Sequence, residues 1–182
     1  MKSGRILDTF SVEGGRSVVL RTPRWEDLDD LLELINSLVE EKAEVMVDEK
    51  LSREQEAEWF SSLLLRLERD QVLFLVAEVD GKVVASSDVH LGRGCEKYSG
   101  AIGIAVRCGF RDLGIGTWMM RTMMREAQSV GVKVLVLSVF ATNERAIHVY
   151  EKLGFVQTGR VPMKYFKDGK FVDQIAMAKS LK

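Results

Sequence analysis

The chain has 182 residues, 46% hydrophobic and 29% charged, as expected of one globular domain covering residues 1–182. Its 26 basic and 27 acidic residues give a net charge of −1, which excludes the basic excess typical of proteins that wrap nucleic acid. No apolar stretch approaches the roughly 18 residues of a membrane span. Charges at Arg5, Asp8, Glu13 and Arg16 interrupt any secretory signal, so we expect a cytoplasmic protein without nucleic-acid or membrane partners.

Cysteines and clustered charges restrict the chemistry further. Cys95 and Cys108 are the only cysteines, too few for a disulfide framework or a thiolate zinc site, and we expect no metal. Between Glu40 and Glu58 there are eight acidic and three basic residues. This segment either suits a cationic ligand or forms a solvated helix face, and charge alone does not choose between the two.

The first half of the chain predicts a strand, two helices and a hairpin. In chain order these are a strand at Ser17–Arg21, a helix from about Leu28 to Leu38, a helix at about Ser52–Arg69, and strands at Val72–Val79 and Lys82–Val89. The dipeptide Asp80-Gly81 between the last two strands supplies the positive φ angles of a tight hairpin turn. The two strands should therefore pair antiparallel.

The second half predicts a parallel strand pair followed by another hairpin. Its elements are a strand at Ser99–Val106, helices at about Leu113–Val130 and Glu144–Leu153, and strands at Val132–Phe140, Phe155–Phe166 and Phe171–Ala178. Val132–Phe140 is so continuously apolar that we expect helices on both of its faces. Gly154 should cap the second helix, and Asp168-Gly169 should close the hairpin. The fold class is α/β (α+β), with a mixed sheet that is antiparallel at both ends and has a parallel βαβ pair in the middle.

The segment Arg111-Asp112-Leu113-Gly114-Ile115-Gly116-Thr117 connects a strand to a helix. Its glycines allow main-chain N–H groups to approach a phosphate at the positive end of that helix. It lacks the Lys-Ser/Thr pair of a Walker A loop, and Trp118 stands where a dinucleotide fingerprint needs another glycine. The ligand is then another phosphate-bearing molecule, or the glycines serve only close packing.

Two motifs together resemble the GNAT superfamily of acyl-CoA-dependent N-acyltransferases. The family's phosphate loop reads Gln/Arg-x-x-Gly-x-Gly/Ala, and Arg111, Gly114 and Gly116 match it. The segment from Asn143 through Ala146 and Tyr150 to Gly154-Phe155 matches the family block Asn-x-x-Ala-x-x-x-Tyr-x-x-x-Gly-Phe. The resemblance covers about Ser17 to Ala178 and leaves residues 1–16 outside.

The resemblance implies a GNAT-like fold with acetyl-CoA in a cleft where the strands ending near Val106 and Phe140 separate. The pyrophosphate would meet the main-chain amides from Arg111 to Thr117. The pantetheine arm would pair, like an added strand, with Ile104, Ala105 and Val106, beside Asn143 and Ala146. Cys108 stands where the family commonly has proline, and since the backbone is what binds there, this difference should matter little.

The resemblance also assigns the catalytic role to Tyr150, which would hydrogen-bond the departing CoA sulfur. Stabilisation of the thiolate comes first among its possible roles and full protonation second, because a tyrosine of pKa about 10 is a weaker acid than a thiol of about 8.5. Asn143 could also simply cap its helix. The oxyanion would be held by a strand amide near Val106.

The general base is not evident from the sequence. N-terminal acetyltransferases of the superfamily often carry a glutamate five residues before the Asn, and here that residue is Ser138. The remaining candidates are Asp88 and His90 on a strand, and Glu44 and Glu49 in the acidic segment. The residue type alone favours a solvated surface position for each of these.

The resemblance therefore predicts an acetyl-CoA-dependent N-acetyltransferase that acts by direct transfer in a ternary complex. The acceptor would be a protein or peptide N-terminus, or a small amine such as a polyamine or an amino acid. The alternative is a catalytically silent CoA-binding sensor or interaction module, suggested by Ser138 and opposed by the intact Tyr150. The C-terminal hairpin could pair across a homodimer.

Overall fold

The structure, a computed structural model, describes residues 2–12 and 14–181; Met1, Glu13 and Lys182, which the single-domain prediction includes, lie outside the described residues. The strands are β1 (Ile6–Ser11), β2 (Ser17–Arg21), β3 (Val72–Val79), β4 (Lys82–Leu91), β5 (Ser99–Val106), β6 (Val134–Phe140), β7 (Val156–Lys167) and β8 (Lys170–Ser180). The helices are α1 (Leu28–Glu40), α2 (Arg53–Glu68), α3 (Ile115–Ser129) and α4 (Glu144–Lys152). Within the described ranges, no helix is long and apolar enough to cross a membrane.

The strands form one mixed sheet in the order β1-β2-β3-β4-β5-β6-β8-β7. All neighbours pair antiparallel except β5 and β6, which are parallel. The predicted fold class is thus confirmed. Both Asp-Gly hairpins are confirmed as well, since Asp80, Gly81, Asp168 and Gly169 all have positive φ angles.

The helices cover the two faces of the sheet unequally. On the face that we call the α1 face, α1 and α2 pack on β3 and on Val83 of β4. On the opposite face, the α3 face, the buried side chains of α3 and the partly buried side chains of α4 pack against the larger core. The two helices therefore cover the α1 face over β3 and part of β4, and within residues 2–12 and 14–181 the core that they form includes no side chain of β6 or β8.

This unequal cover overturns the expectation that Val132–Phe140 is covered on both faces. In β6, buried Leu135 and Leu137 alternate with exposed Val134, Val136 and Ser138. The exposed set lies on the α1 face, where no helix reaches β6. Apolar character alone did not reveal this, because β-branched residues such as valine also suit a half-buried strand surface.

The sequence analysis also missed strand β1. It pairs antiparallel with β2, and its Phe10 ring stacks on Trp118 of α3 at 4.9 Å between ring centroids. The Trp118 indole N–H also donates to the Asp8 carboxylate at 3.0 Å. Because this edge strand is only partly buried, its sequence shows only a weak alternation of apolar and polar residues.

A buried ion-pair network fixes β2 against the start of α1. The Arg21 guanidinium donates to both oxygens of Asp27, at 2.6 and 2.7 Å, and to Glu78 of β3 at 2.8 Å. Arg21 and Asp27 are each only 4% exposed. Such a pair is costly to break, because removal of one partner leaves a buried charge that water cannot reach.

We therefore expect Asp27→Ala to lower the free energy of unfolding by about 3 kcal/mol. Asp29→Ala is the matched control, since the pair between Asp29 and Arg53 is exposed and such pairs contribute about 0–1 kcal/mol. Urea denaturation of the two variants and the wild type measures the difference. Equal losses in both variants would contradict the role given to the buried network.

Glu56 in the first turn of α2 is buried, with 3% of its surface exposed. Burial raises its pKa from 4.5 to about 7, so between these values the folded protein retains a proton that the unfolded chain releases. Stability should fall as pH rises through this range, and the loss should be complete above pH 7.

Glu56→Gln removes this titration and keeps the shape of the side chain. We expect the melting temperature of the variant to exceed that of the wild type at pH 8 by about 2–4 °C, which corresponds to roughly 1 kcal/mol for a chain of this size. At pH 4.5 the two should melt within about a degree of each other. Calorimetry over pH 4.5–8 measures this; a difference that is constant with pH would contradict the assignment.

Candidate active site

The loop before α3 exposes unpaired main-chain donors. Gly114 is the N-cap of α3 with a left-handed φ of 79°, and no side chain caps this helix end. Asp112 also has a positive φ. The first N–H groups of a helix have no partner within it and lie at the positive end of its dipole, so this loop can bind a phosphate group.

The two glycines of the loop have different structural roles. Gly114 needs the left-handed conformation, which an L-residue adopts only with strain. A Cβ at Gly116 would meet Val106 Cγ2 at 3.5 Å and Ile104 Cδ1 at 3.6 Å, which are ordinary contact distances. Gly116 thus brings the first turn of α3 close to β5, and it can accept one more methyl group.

An opening between β5 and β6, which we call the gap, lies next to this loop. The two strands pair only from Ser99 to Ala101 of β5, opposite Val134 to Val136 of β6. Beyond these residues they separate, although β5 stays paired with β4 up to Val106. The edge of β5 that faces β6 is therefore unpaired along its second half.

The pairing pattern identifies which groups of β5 face the gap. Arg107 donates its N–H to the Val84 carbonyl on the β4 side. Because antiparallel pairing alternates, odd-numbered residues of β5 direct their main-chain groups to β4 and even-numbered residues direct theirs to the gap. The gap-facing residues are Ile102, Ile104 and Val106.

Arg111 and Arg145 connect the loop to its surroundings. The Arg111 Nε donates to the Val106 carbonyl at 2.9 Å, and its guanidinium also pairs with Glu41 after α1. Arg145 of α4 pairs with Asp112 at 2.9 Å. The sequence motif does not reveal these partners. The Arg111 side chain is held at the mouth of the gap by the Val106 carbonyl and Glu41. Arg145 is a second cation at the phosphate loop, and the sequence analysis missed it.

Helix α4 places the residues of the second motif. The Asn143 side chain accepts a hydrogen bond from the Ala146 N–H at 3.1 Å, which confirms its role as N-cap. Ala146 and Tyr150, one turn apart, both pack against the core of the α3 face. The motif thus orients Tyr150 on the same side of the sheet as the phosphate loop.

Tyr150 is held in an apolar environment. Its ring lies 6.0 Å from that of Phe155 between centroids, and burial raises its pKa from 10.0 to about 12. In the part of the chain that the structure describes, no protein group forms a hydrogen bond with its hydroxyl. Tyr150 therefore keeps its proton at neutral pH and can donate it in a hydrogen bond to a ligand.

The four candidate bases and Ser138 have different surroundings. The exposed Ser138 hydroxyl accepts a hydrogen bond from Gln174 at 2.6 Å, and a hydroxyl is no substitute for a carboxylate base. Glu44 accepts from Thr142, and Glu49 is exposed. Asp88 and His90 are in contact with each other at 2.9 Å.

The cysteines and acidic groups indicate no further chemistry. Cys95 and Cys108 are free and exposed. Among residues 2–12 and 14–181 there is no group of three or more His, Cys, Asp or Glu side chains arranged to hold a metal ion.

Comparison with known proteins agrees with this geometry. The model of the acetyltransferase (GNAT) family matches residues 28–155, which include both motifs, all four helices and strands β3 to β6. The chain belongs to the GNAT family. This GNAT protein is an enzyme that transfers acetyl groups to amino groups, as its curated relatives are named N-acetyltransferases and N-acyltransferases.

Three proteins similar to this GNAT enzyme illustrate the range of activities named among such proteins. YwnH of Bacillus subtilis, provisionally named a phosphinothricin acetyltransferase, is 24% identical over 166 residues, which are 90% of this chain and 99% of that protein. The structure of a ribosomal-protein-alanine N-acetyltransferase from Brucella melitensis has a TM-score of 0.80 and 27% identity, and covers 89% of this chain and 99% of its own. A phosphinothricin acetyltransferase from Sinorhizobium meliloti, solved in complex with acetyl-CoA, has a TM-score of 0.80 and 19% identity over 90% of this chain and 88% of its own.

The two loop glycines provide a matched pair of variants. We expect Gly114→Ala to weaken acetyl-CoA binding at least about tenfold, because an alanine in the left-handed conformation costs about 1–2 kcal/mol and relaxation of the loop turns its N–H groups away. Gly116→Ala should bind within about twofold of the wild type. Isothermal titration calorimetry measures both, and equal affinity in the two variants would contradict the separate roles.

Proposed function

We propose that this enzyme transfers the acetyl group of acetyl-CoA directly to a primary amine while both substrates are bound. The observation that carries the proposal is the uncapped start of α3 at Gly114, beside a gap in which the β5 backbone is unpaired. A phosphate site next to an unpaired strand edge suits a ligand with a pyrophosphate and an extended, amide-bearing arm. Acetyl-CoA has both.

In this proposal the loop from Arg111 to Thr117 binds the pyrophosphate with its main-chain N–H groups. The pantetheine arm lies along the gap-facing edge of β5 at Val106 and Ile104, with Ala105 between them directed to β4. The Val106 carbonyl already accepts a hydrogen bond from Arg111. The Val106 N–H and both main-chain groups of Ile104 are then left to bind the arm and the oxyanion. Two similar proteins, from Salmonella typhimurium and Sinorhizobium meliloti, have been solved with acetyl-CoA, which supports this co-substrate.

The acceptor would enter from the α1 face, opposite the cofactor. A cavity of about 410 Å³ on the sheet next to the gap, which we call the trough, is lined by Ala101, Ile102, Val136, Leu137, Ser138, Thr158, Ala176 and Met177. Approach from opposite faces lets the amine reach the thioester through the gap without displacing the cofactor. This arrangement supports direct transfer rather than an acetylated enzyme.

The free-energy cost of removing a proton from the acceptor amine favours an acceptor of low basicity. At pH 7 a lysine-like amine of pKa about 10.4 loses its proton at a cost of about 4.6 kcal/mol, whereas an α-amine of pKa about 7.8 costs about 1 kcal/mol. After attack, the sulfur leaves as a thiolate. Because the Tyr150 pKa is about 12 and that of a thiol is about 8.5, Tyr150 would stabilise the thiolate by donating a hydrogen bond rather than by giving up its proton.

A catalytically silent CoA-binding sensor is the alternative. Ser138 in place of a glutamate suggests it, while the partly buried Tyr150, packed against the core of the α3 face, opposes it. A thiol-release assay with acetyl-CoA and a panel of peptides, amino acids, polyamines and aminoglycosides distinguishes the two. Turnover with any acceptor dismisses the sensor, and binding of acetyl-CoA without turnover on the whole panel supports it.

We expect Tyr150→Phe to lower kcat about 100-fold, the lower part of the range for a lost catalytic proton donor, because the thiolate loses its hydrogen-bond donor. The dissociation constant of acetyl-CoA should change by less than about threefold. Tyr98→Phe is the control, since Tyr98 is exposed and precedes β5. An unaltered kcat in Tyr150→Phe would remove this residue from the mechanism.

A further inference from the structure

We propose that Asp88 binds the acceptor's ammonium group and that the acceptor is an amine with no free carboxylate on its α-carbon. This inference rests on the proposed acetyl transfer and names the substrate class of the same site. The side chains that carry it are Asp88 and His90 on β4, Arg66 on α2, and the uncharged residues of the trough.

The register of the sheet places Asp88 at the gap. Asp88 lies directly opposite Gly103 of β5 and opposite Phe74 of β3, whose side chain belongs to the core of the α1 face. Asp88 thus points to the face from which the acceptor would enter. Gly103 is two residues beyond Ala101, the last β5 residue paired with β6, so Asp88 stands beside the narrow end of the gap.

The absence of a side chain at Gly103 leaves room for this carboxylate. A Cβ at Gly103 would lie 3.0 Å from Asp88 Oδ1, so any other residue would push the carboxylate away. Oδ1 is consequently directed over the β5 backbone toward the gap. A primary ammonium that enters the gap would meet this oxygen.

His90 and Arg66 hold the other carboxylate oxygen in place. His90 Nε2 lies 2.9 Å from Asp88 Oδ2, and Arg66 lies 2.8 Å from His90 Nδ1. Because arginine can only donate, His90 Nδ1 is the acceptor of the Arg66 hydrogen bond, and Nε2 is the ring nitrogen that faces Asp88. Both ring nitrogens are thus occupied, and Oδ1 is left for a ligand.

The other acidic side chains near the gap have protein partners. Glu41 pairs with Arg111, and Glu44 accepts from Thr142. On the β6 side of the gap, Ser138 carries no charge and is bonded to Gln174. Among the described residues, Asp88 is therefore the carboxylate at the gap with an oxygen directed to the acceptor.

The trough indicates what the rest of the acceptor looks like. Its lining, given above, consists of apolar side chains with Ser138 and Thr158 and contains no charged residue. A carboxylate that enters the trough with the body of the acceptor would leave water for a lining that supplies no cation, which is unfavourable, and the guanidinium nearest the ammonium site, that of Arg66, already donates to His90. An uncharged, partly apolar body suits the lining, as in a peptide N-terminus or an amino-acid amide, whose low basicity also makes deprotonation easier.

Leucinamide and leucine test the substrate class, because they differ only in the charge next to the amine. They are compared by the limiting kcat/KM at high pH, where both amines are neutral, so that their different pKa values do not enter. We expect leucinamide to be the better substrate by at least about tenfold. Equal or higher kcat/KM for leucine would overturn the proposed class.

Asp88→Asn tests the ammonium site, with Glu58→Gln on the exposed side of α2 as the control. For leucinamide at pH 7 we expect KM to rise about 10- to 100-fold in Asp88→Asn, the range for a lost charge-assisted hydrogen bond. KM for acetyl-CoA should stay within about twofold in both variants. Calorimetry of leucinamide with the CoA-saturated protein should show the same loss of affinity without turnover.

The outcomes separate this inference from the proposed function. If the wild type acetylates leucinamide and Asp88→Asn keeps the wild-type acceptor KM and affinity, the ammonium site is wrong while acetyl transfer stands. If the wild type acetylates no amine of the panel, both proposals fail. If Asp88→Asn melts well below the wild type, Asp88→Glu, which keeps the charge, must restore at least part of the acceptor affinity, and failure to do so overturns the site.

Discussion

The short pairing between β5 and β6 is the constraint on which the site depends. These parallel strands join only at Ser99–Ala101 and Val134–Val136, and the edge of β5 beyond them is unpaired. Unpaired main-chain groups cost free energy unless water or a ligand satisfies them. Arg111 satisfies the last carbonyl of β5, and the remaining groups are those that a pantetheine arm would bind. The binding edge is therefore built from backbone, and its side chains have little influence on it.

In the proposed function, the unequal cover of the two faces would give each substrate its own side of the sheet. On the α3 face, Gly116 brings the start of α3 against β5, and α4 presents Tyr150 from the same side. On the α1 face, the cover by α1 and α2 stops before β6, and the trough remains open. The gap is the passage between them. Under the proposed function, a site with this form would bring a thioester and an amine together without a covalent enzyme intermediate.

Local backbone features of this site could be predicted from the sequence, because each depends on a few adjacent residues. Gly154 takes the left-handed conformation after α4, Asn143 caps the start of α4, and the Asp-Gly pairs close their hairpins. Features that depend on distant residues could not be predicted. The exposure of β6 depends on where α1 and α2 end, and Glu41, which pairs with Arg111, lies just after α1, seventy positions earlier in the chain. Asp88 stood among several candidate bases until the sheet register placed it beside Gly103.

The most direct test of the central claim is a titration with coenzyme A in which nuclear magnetic resonance measures the chemical shifts of the main-chain amides. The account predicts large shifts at Gly114, Ile115, Gly116 and Thr117 and at the gap-facing amides of Ile104 and Val106. Amides of Ala105 and Gly103, which face β4, should shift less than their even-numbered neighbours. Saturable binding that leaves the amides of the α3 start and of β5 unshifted would contradict the account, whatever activity the enzyme shows.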